Sequence, residues 1–220
     1  EPAPEYLPFT NIALADTFQI HEEGDIPDLN IFRENNETIE RQKKAPINVV
    51  IGNPPYSAGQ KSANDLNANL KYPSLDKRIA ETYAARSTAT NKNSLYDSYL
   101  RAFRWATDRI GDQGVVAFVT NNGWLDGNTS AGVRLAMCED FTDLYIFNLR
   151  GNSLGSGQSA RKQGGNVFDI RVGVTITIGI KEKRKNSCEI HYAETPDYST
   201  KKQKIDQIKG STIDLSLIHI

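Results

Sequence analysis

Short apolar runs separated by polar, glycine or proline residues recur along the chain, with helical patterns between some of them. This alternation predicts an α/β fold built on a mostly parallel sheet. The first three runs, 11–16, 47–52 and 114–120, are apolar on both sides, which predicts strands buried on both faces. The last two, 142–148 and 171–180, follow each other without a long helix. They therefore predict an antiparallel pair that ends the sheet.

The segments between the strands differ in character. An amphipathic helix is predicted over residues 99–110. Its apolar face carries Leu100, Phe103, Ala106 and Ile110. Segment 60–93 is polar and has no sustained period, so we expect a mobile insertion, and the Gly/Ser-rich segment 151–165 predicts a flexible basic loop. From Lys181 onward the chain is charged, and the core is expected to end there.

The ends of the chain set the expected domain limits. Residues 1–185 are predicted to form a core that is truncated at its N-terminus, because the chain enters a predicted strand soon after a non-methionine start. Residues 186–214 are interpreted as a charged extension. The last six residues, 215–220, read LSLIHI, which a common sequencing-library adapter encodes, so we expect a non-native tail.

Composition narrows the function classes only slightly. The chain has 220 residues, with 26 basic and 27 acidic side chains, so contact with nucleic acid would need a local basic surface. Its two cysteines, Cys138 and Cys188, match neither a zinc spacing nor a disulfide framework, and the sequence predicts no metal site. Neither a membrane span nor a signal peptide is evident, so we expect a cytoplasmic protein without membrane contact.

The most informative motif is Asn53-Pro54-Pro55-Tyr56, directly after an apolar predicted strand. Ligands of parallel α/β sheets bind outside the carboxyl ends of strands. Two prolines remove backbone donors and leave carbonyl acceptors, Asn53 adds a side-chain oxygen, and Tyr56 adds a flat ring. Acceptors for both N–H groups of an exocyclic amine favour a pyramidal nitrogen that can attack a methyl sulfonium. Tyr56 would stack on a flipped-out base; the alternative is an ordinary loop turn.

The order of segments resembles the gamma class of amino-methyltransferases, which have a Rossmann-like class I methyltransferase fold. In that class a strand ending in an acid precedes the Asn-Pro-Pro-Tyr strand, and here ALADTF places Asp16 at that position. The resemblance implies that Asp16 accepts a hydrogen bond from the adenine amine of S-adenosylmethionine, with Thr17 or Phe18 beside it. Alone, Asp16 would be read as a helix N-cap or a solvated loop acid.

Two later segments extend the resemblance. The segment NSLYDSYLRAF is similar to the helix that closes the cofactor pocket, which implies that Leu95 and Tyr96 contact the cofactor along with Asn53. The segment GGNVFDIRVGVTITIGIK resembles the last motif of the class, where an aromatic side chain packs against the flipped base. That assigns Phe168, for which the alternative is a core aromatic.

A narrower resemblance links the chain to helicase-fused, single-polypeptide restriction-modification enzymes of type ISP. It covers residues 6–214 and depends on FNLRGNSLGSGQSARKQGGNVFDI and CEIHYAETPDYSTKKQKI. It implies a DNA adenine-N6 methyltransferase that acts on double-stranded DNA, with nuclease, helicase and target-recognition domains in the same polypeptide. Arg161 and Lys162, within the basic loop, are candidate contacts to DNA phosphates, although solvated loop charges are equally consistent with their positions.

One departure from the class concerns the cofactor. Its glycine-rich motif should follow an earlier strand, and no Gly-x-Gly occurs before Asp16. We therefore expect this segment alone to bind S-adenosylmethionine weakly and to be inactive. Protein-glutamine and ribosomal RNA methyltransferases share the Asn-Pro-Pro-Tyr turn and remain alternatives, as does a catalytically dead DNA-binding module. A dinucleotide-binding oxidoreductase is disfavoured because no GxGxxG follows a strand.

Overall fold

A computed structural model of the chain describes residues 9–22, 24, 32–55, 71–183 and 187–212. The strands are β1 (Val49–Gly52), β2 (Gly114–Asn121), β3 (Asp143–Arg150), β4 (Val174–Lys181) and β5 (Glu189–Glu194). The α-helices are α1 (Arg33–Lys44), α2 (Pro73–Ile79), α3 (Ser98–Arg109), α4 (Ala131–Asp140), α5 (Gly157–Lys162) and α6 (Lys201–Gly210). Shorter helical turns are Gln19–His21, Ala80–Ala84, Asn93–Tyr96 and Asn122–Trp124. None of the helices in these ranges is long and apolar enough to cross a membrane.

The five strands form one sheet in the order β1-β2-β4-β3-β5. β1 is parallel to β2 and β3 is parallel to β5, whereas β4 is antiparallel to both of its neighbours. Four strands therefore run in one direction, which confirms the predicted α/β fold with a mostly parallel sheet. The predicted antiparallel pair is also present as β3 and β4. It does not end the sheet, however, because β5 lies beyond β3.

The hydrophobic core lies between one face of the sheet and the helices. All four residues of the predicted apolar face of α3 are buried, which confirms that helix. The Phe103 ring meets Phe118 of β2 edge-on at 5.2 Å and Trp124 at 5.9 Å between ring centroids. α2 and α4 cover the same side through Ile79 and Val133, which are fully buried. Aromatic burial of this kind provides much of the free energy of such a core.

The first predicted strand, 11–16, is wrong. Side chains of α1 form hydrogen bonds with the backbone of this segment instead. The Asn35 amide accepts from Leu14 N at 2.7 Å and donates to Leu14 O at 3.0 Å. Gln42 donates to the carbonyl of Asn11 at 2.6 Å. Since helix side chains satisfy these groups, the segment lies along α1 outside the described sheet, and Leu14 is 89% exposed.

β1 is less buried than its apolar sequence predicts. Its side chains do not lie in a core on both faces, because Val49 is 56% exposed and Ile51 is 77% exposed. Among the described strands β1 pairs with β2 only, so its other edge has no strand partner there. β1 is therefore an edge strand in the part of the chain that the structure describes.

Two segments predicted to lie outside the core contribute to it. Within segment 60–93, residues 60–70 lie outside the described residues. Residues 71–93 contain α2 and the helical turn that extends it to Ala84, with Leu75, Ile79 and Tyr83 buried at a spacing of four. Beyond Lys181, β5 joins the sheet and α6 follows, so the core does not end there. The four-residue spacing was present in the sequence but was obscured by the polar residues around it.

A buried arginine connects three helices on the covered face. Arg104 of α3 is 1% exposed and donates at 2.7 Å to Asp140 of α4 and at 2.7 Å to Asp108. Asp108 also accepts two hydrogen bonds of 2.9 Å from Arg78 of α2. Burial alone would raise the pKa of Asp108, but the hydrogen bonds from Arg78 and the charge of Arg104 outweigh it and lower that pKa. The carboxylate is therefore held charged between the helices.

Arg104→Met should lower the free energy of unfolding by about 1.5–3 kcal/mol, because it removes charge-assisted hydrogen bonds from a buried guanidinium to Asp140 and Asp108. The matched control is Arg33→Met, which removes an ion pair to Glu37 on the exposed surface of α1 and should change the free energy of unfolding much less. Urea denaturation of both variants at pH 7 measures the difference. Equal losses would show that the Arg104 network does not stabilise the helix packing.

Candidate active site

Asn53, Pro54 and Pro55 directly follow β1 at the carboxyl edge of the sheet. β2 runs parallel beside β1 with Gly52 opposite Phe118, so the end of β2 at Asn121 lies at the same edge. Asn53 and Pro55 are exposed and Pro54 is half-buried. The carbonyl-rich turn is thus accessible at the edge where parallel sheets bind ligands. Tyr56, the fourth residue of the motif, lies outside the described residues.

The carboxylate of Asp16 is held by several donors. Its Oδ1 accepts from the backbone N–H groups of Phe18 at 3.0 Å and Gln19 at 3.3 Å, and its Oδ2 accepts from the Tyr72 hydroxyl at 2.8 Å. Burial, followed by the hydrogen bond to Asp16, raises the pKa of Tyr72, which keeps the donor protonated. Asp16 therefore caps its own helical turn, as in the alternative interpretation. A carboxylate has about four acceptor positions, so capacity for a further donor remains.

The neighbours of Asp16 are placed by the same contacts. Thr17 is exposed, and Phe18 is half-buried with its ring edge-on to Tyr72 at 5.2 Å between centroids. Glu22 accepts from the backbone N–H groups of Ser74 at 2.7 Å and Leu75 at 3.1 Å, and so caps α2. The segment that carries Asp16 is therefore fixed to α2, although it is not a strand.

Leu95 and Tyr96 lie on the short helical turn before α3 and differ in exposure. Leu95 is fully buried within the core cluster, while Tyr96 is partly buried against it. A residue without exposed surface packs the core, so the geometry favours Tyr96 over Leu95 for contact with a ligand. The cofactor role of both residues stays a prediction.

The segment after β3, 151–165, contains α5 and is anchored near both ends by hydrogen bonds. The Asn166 amide donates to the carbonyls of Gly151 at 3.1 Å and Val172 at 2.7 Å, and its oxygen accepts from Phe168 N at 2.9 Å. Gly151 has a φ of +86°, and a Cβ there would lie 3.0 Å from Asn166. These contacts explain why glycine follows Arg150 and why asparagine precedes the predicted base-stacking aromatic.

A buried lysine holds the other side of this loop. Lys204 of α6 is fully buried, and its Nζ donates at 2.7 Å to the carbonyl of Leu149 and at 2.7 Å to that of Gln163. Gly164, at a φ of +70°, approaches Ser199 so closely that a Cβ would lie 2.2 Å from its carbonyl oxygen. Burial and the charge of Arg150 lower the pKa of Lys204 to about 8.

Three predicted contact residues lie between β3 and β4. Phe168 is 50% exposed, so it is not a core aromatic. Arg161 and Lys162 end α5 and are exposed, and Lys162 Nζ lies 3.7 Å from Asp197 Oδ2. Since β3 leads into the loop and β4 returns from it, the loop lies at the same edge of the sheet as Asn53.

A chain of polar side chains that sequence reasoning missed crosses this edge. Asn122 donates to Asn148 at 3.0 Å, Asn148 donates to the Tyr192 hydroxyl at 3.1 Å, and that hydroxyl donates to Glu194 at 2.8 Å. Burial is the largest influence that raises the pKa of Tyr192, so its hydroxyl remains a donor. The sequence does show an amide or a hydroxyl near the end of each of these strands. Which of them form hydrogen bonds with each other can be predicted only when the order of the strands in the sheet is known.

Comparison with known proteins identifies relatives for most of the chain. The model of the Eco57I restriction-modification methylase family matches residues 10–154. LlaBIII, an ATP-dependent Type ISP restriction-modification enzyme solved bound to DNA, is 43% identical over 93% of this chain and 14% of its own, with a TM-score of 0.87. A nuclease-deletion mutant of the Type ISP enzyme LlaGI, in complex with a DNA substrate mimic, is 40% identical over 95% of this chain and 17% of its own, with a TM-score of 0.88.

A third solved structure, the DrdV–DNA complex, is 38% identical over 96% of this chain and 20% of its own, with a TM-score of 0.86. No match was found among curated proteins. The chain spans a fifth or less of the length of the three solved proteins. The resemblance to the methyltransferase part of type ISP enzymes, and with it the Rossmann-like methyltransferase fold, is confirmed.

The lowered pKa of Lys204 predicts a specific dependence of stability on pH. Its folded value of about 8 lies below the ordinary 10.5, so between these values the unfolded chain binds more protons. As the pH increases through this range, the free energy of unfolding of the wild type should therefore rise relative to that of Lys204→Met, by at most about 1.4 kcal/mol per pH unit. Urea denaturation from pH 7.5 to 10 measures it. For the control Lys202→Met, on the exposed side of α6, the curve of unfolding free energy against pH should run parallel to that of the wild type. A Lys204→Met curve parallel to the wild type would contradict the prediction.

Proposed function

The chain belongs to the Eco57I family of restriction-modification methylases, and we propose that it transfers a methyl group from S-adenosylmethionine to the N6 amine of adenine in DNA. The observation that carries this proposal is the accessible Asn53-Pro54-Pro55 turn at the carboxyl end of β1. Family membership favours DNA over the release-factor and ribosomal RNA targets of other enzymes with this turn. The enzyme would act as the modification part of a longer restriction-modification polypeptide.

The proposed chemistry is direct transfer. The Asn53 side-chain oxygen and the Pro54 carbonyl accept the two N–H groups of the amine, which frees the nitrogen lone pair to attack the methyl carbon. The carbon–sulfur bond breaks, S-adenosylhomocysteine leaves, and the surplus proton passes from nitrogen to solvent. The two acceptors stabilise positive charge that develops on nitrogen only in the transition state, which is where preorganised dipoles are most effective.

The target adenine must leave the duplex to reach this turn. Tyr56 is the proposed stacking partner on one face of the base. Phe168 is proposed as the second aromatic contact, supported by its half-exposed ring between β3 and β4 at the same edge of the sheet. Stacking on an aromatic side chain contributes about 1–3 kcal/mol per base.

The proposed cofactor contacts are Asp16, Thr17 and Phe18, together with Asn53, Leu95 and Tyr96. In this proposal the adenine amine of S-adenosylmethionine donates to Asp16, whose orientation is fixed by the N–H groups of Phe18 and Gln19. A carboxylate already oriented by backbone donors loses little side-chain entropy when a ligand arrives. Support for Leu95 is weaker, because it is fully buried.

The longer polypeptide, given labelled S-adenosylmethionine and duplex DNA, should place label in N6-methyladenine. Digestion of the product to nucleosides identifies the base; label in C5-methylcytosine would overturn the proposal, since that reaction uses a cysteine nucleophile. The 220-residue chain tested alone should give no label, because no glycine-rich turn precedes Asp16 in it.

Asn53→Ala should lower kcat of the longer polypeptide on the order of 10²–10³-fold, with little change in DNA affinity, because the lost acceptor acts on developing charge. Asn53→Asp is the matched variant, since it keeps an acceptor oxygen and should retain more activity. Single-turnover methylation and a DNA-binding assay measure the two quantities. Equal losses of kcat and affinity would make Asn53 a structural residue.

We also propose that Arg161 and Lys162 contact DNA phosphates. Arg161→Gln should weaken binding similarly for all sequences and reduce the slope of log affinity against log salt by about 0.9. Lys162→Gln should have a smaller effect, because Asp197 already competes for its charge. Lys183→Gln is the control, since Lys183 pairs with Asp112 before β2, at the opposite edge of the sheet. A salt slope that stays unchanged for Arg161→Gln would assign these residues to the solvated surface.

A further inference from the structure

At the amino ends of β3 and β5, three potential metal ligands lie together. The parallel pairing places Asp143 opposite Glu189 and Tyr145 opposite His191. Because side chains alternate along a strand, Asp143, Glu189 and His191 project from the same face of the sheet. One ligand atom from each lies within 4.8 Å of the other two. This cluster lies at the opposite edge of the sheet from Asn53.

His191 provides an independent indication of a ligand. It is 8% exposed, and its ring stacks on Tyr145 at 4.3 Å with the ring planes 9° apart. Its Nε2 is buried without a hydrogen-bond partner and lies 3.7 Å from Glu189 Oε1, too far for a hydrogen bond. Buried nitrogens almost always have a partner. A nitrogen directed at a carboxylate in this way is suited to share a cation with it.

We propose that Asp143, Glu189 and His191 bind one divalent transition-metal ion of the zinc type. Imidazole nitrogen with carboxylate oxygen is a ligand set for zinc and similar ions, whereas calcium and magnesium prefer oxygen alone. Two carboxylates balance the charge of the ion, and water completes the fourth position on the exposed side of Glu189. The ion would join β5 to β3 and so stabilise the outer strand of the sheet.

To bind an ion, the three ligand atoms must move slightly closer together. Ligand atoms about 2.1 Å from a tetrahedral ion lie roughly 3.4 Å from one another, closer than the 4.8 Å limit of the cluster. The Glu189 side chain is 50% exposed and long enough to close this gap. Thr142 donates to Asp143 Oδ2 at 2.8 Å and so orients that carboxylate, as supporting residues do at many metal sites.

Calorimetric titration of the metal-stripped 220-residue chain with Zn²⁺ tests the proposal, with one ion per chain expected. At Zn²⁺ 100-fold above Kd, the unfolding midpoint should rise by roughly 5–10 °C. His191→Phe keeps a ring stacked on Tyr145 and should abolish both effects. The double variant His21→Gln/His219→Gln keeps His191 as the sole histidine and should bind as the wild type does.

The cysteines supply the competing explanation, because Cys188 adjoins Glu189. Co²⁺ in place of Zn²⁺ should give visible d–d absorption without a thiolate charge-transfer band, and Cys188→Ser should bind normally. Failure of the wild type to bind, undiminished binding by His191→Phe, or loss of binding in Cys188→Ser would overturn the proposal. If His191→Phe does not fold, Glu189→Gln at the surface decides, with at least tenfold weaker binding expected and unchanged affinity refuting the site.

Discussion

The antiparallel insertion of β4 between β2 and β3 determines where the candidate functional residues lie. Because β4 runs against its neighbours, the segment that joins β3 to β4 turns back at the edge where β1 and β2 end. Asn53, Phe168 and the basic end of α5 therefore share one edge, although Asn53 lies more than a hundred residues before the other two in the sequence. Asp143 and Glu189 begin their strands and so share the opposite edge.

The loop between β3 and β4 is anchored near both of its ends by polar side chains. Asn166 binds backbone groups on both sides of the loop, and Lys204 binds the carbonyls of Leu149 and Gln163. A flexible loop would lose conformational entropy whenever DNA or a flipped base bound to it. The anchors on this loop leave it fewer conformations to lose and so reduce that cost for contacts made by Phe168 and Arg161.

Local patterns were sufficient to predict α3 and the central strands. Leu100, Phe103, Ala106 and Ile110 recur at helical spacing, and β2 is a continuous apolar run, so neither depends on distant residues. The strand predicted at 11–16 failed because its backbone partners are side chains of α1, which no local pattern records. β5 was missed, although polar and apolar residues alternate over 189–192, because the charged run before it was interpreted as the end of the core.

The candidate site likewise contains residues that could be predicted from the sequence and residues that could not. Asn53 could be predicted because the chemistry of Asn-Pro-Pro is contained in adjacent residues after one strand. The hydrogen-bonded chain from Asn122 to Glu194 could not, since it joins residues 26 and 44 positions apart through the strand order. The cluster around His191 likewise arises from the register of β3 and β5, which the sequence does not specify.

The position of Asn53 at the end of an edge strand sets a condition on the proposed chemistry. Catalytic groups need to be held within about 0.5 Å of their productive position, and a misplacement of about 1 Å can cost about a hundredfold in rate. β1 has four residues and, among the described strands, is paired on one side only, with Ile51 largely exposed. Pairing with β2 holds one side of β1, and its other edge has no partner among the described strands. A strand or loop that covered this edge would hold β1 from both sides and bury its exposed side chains.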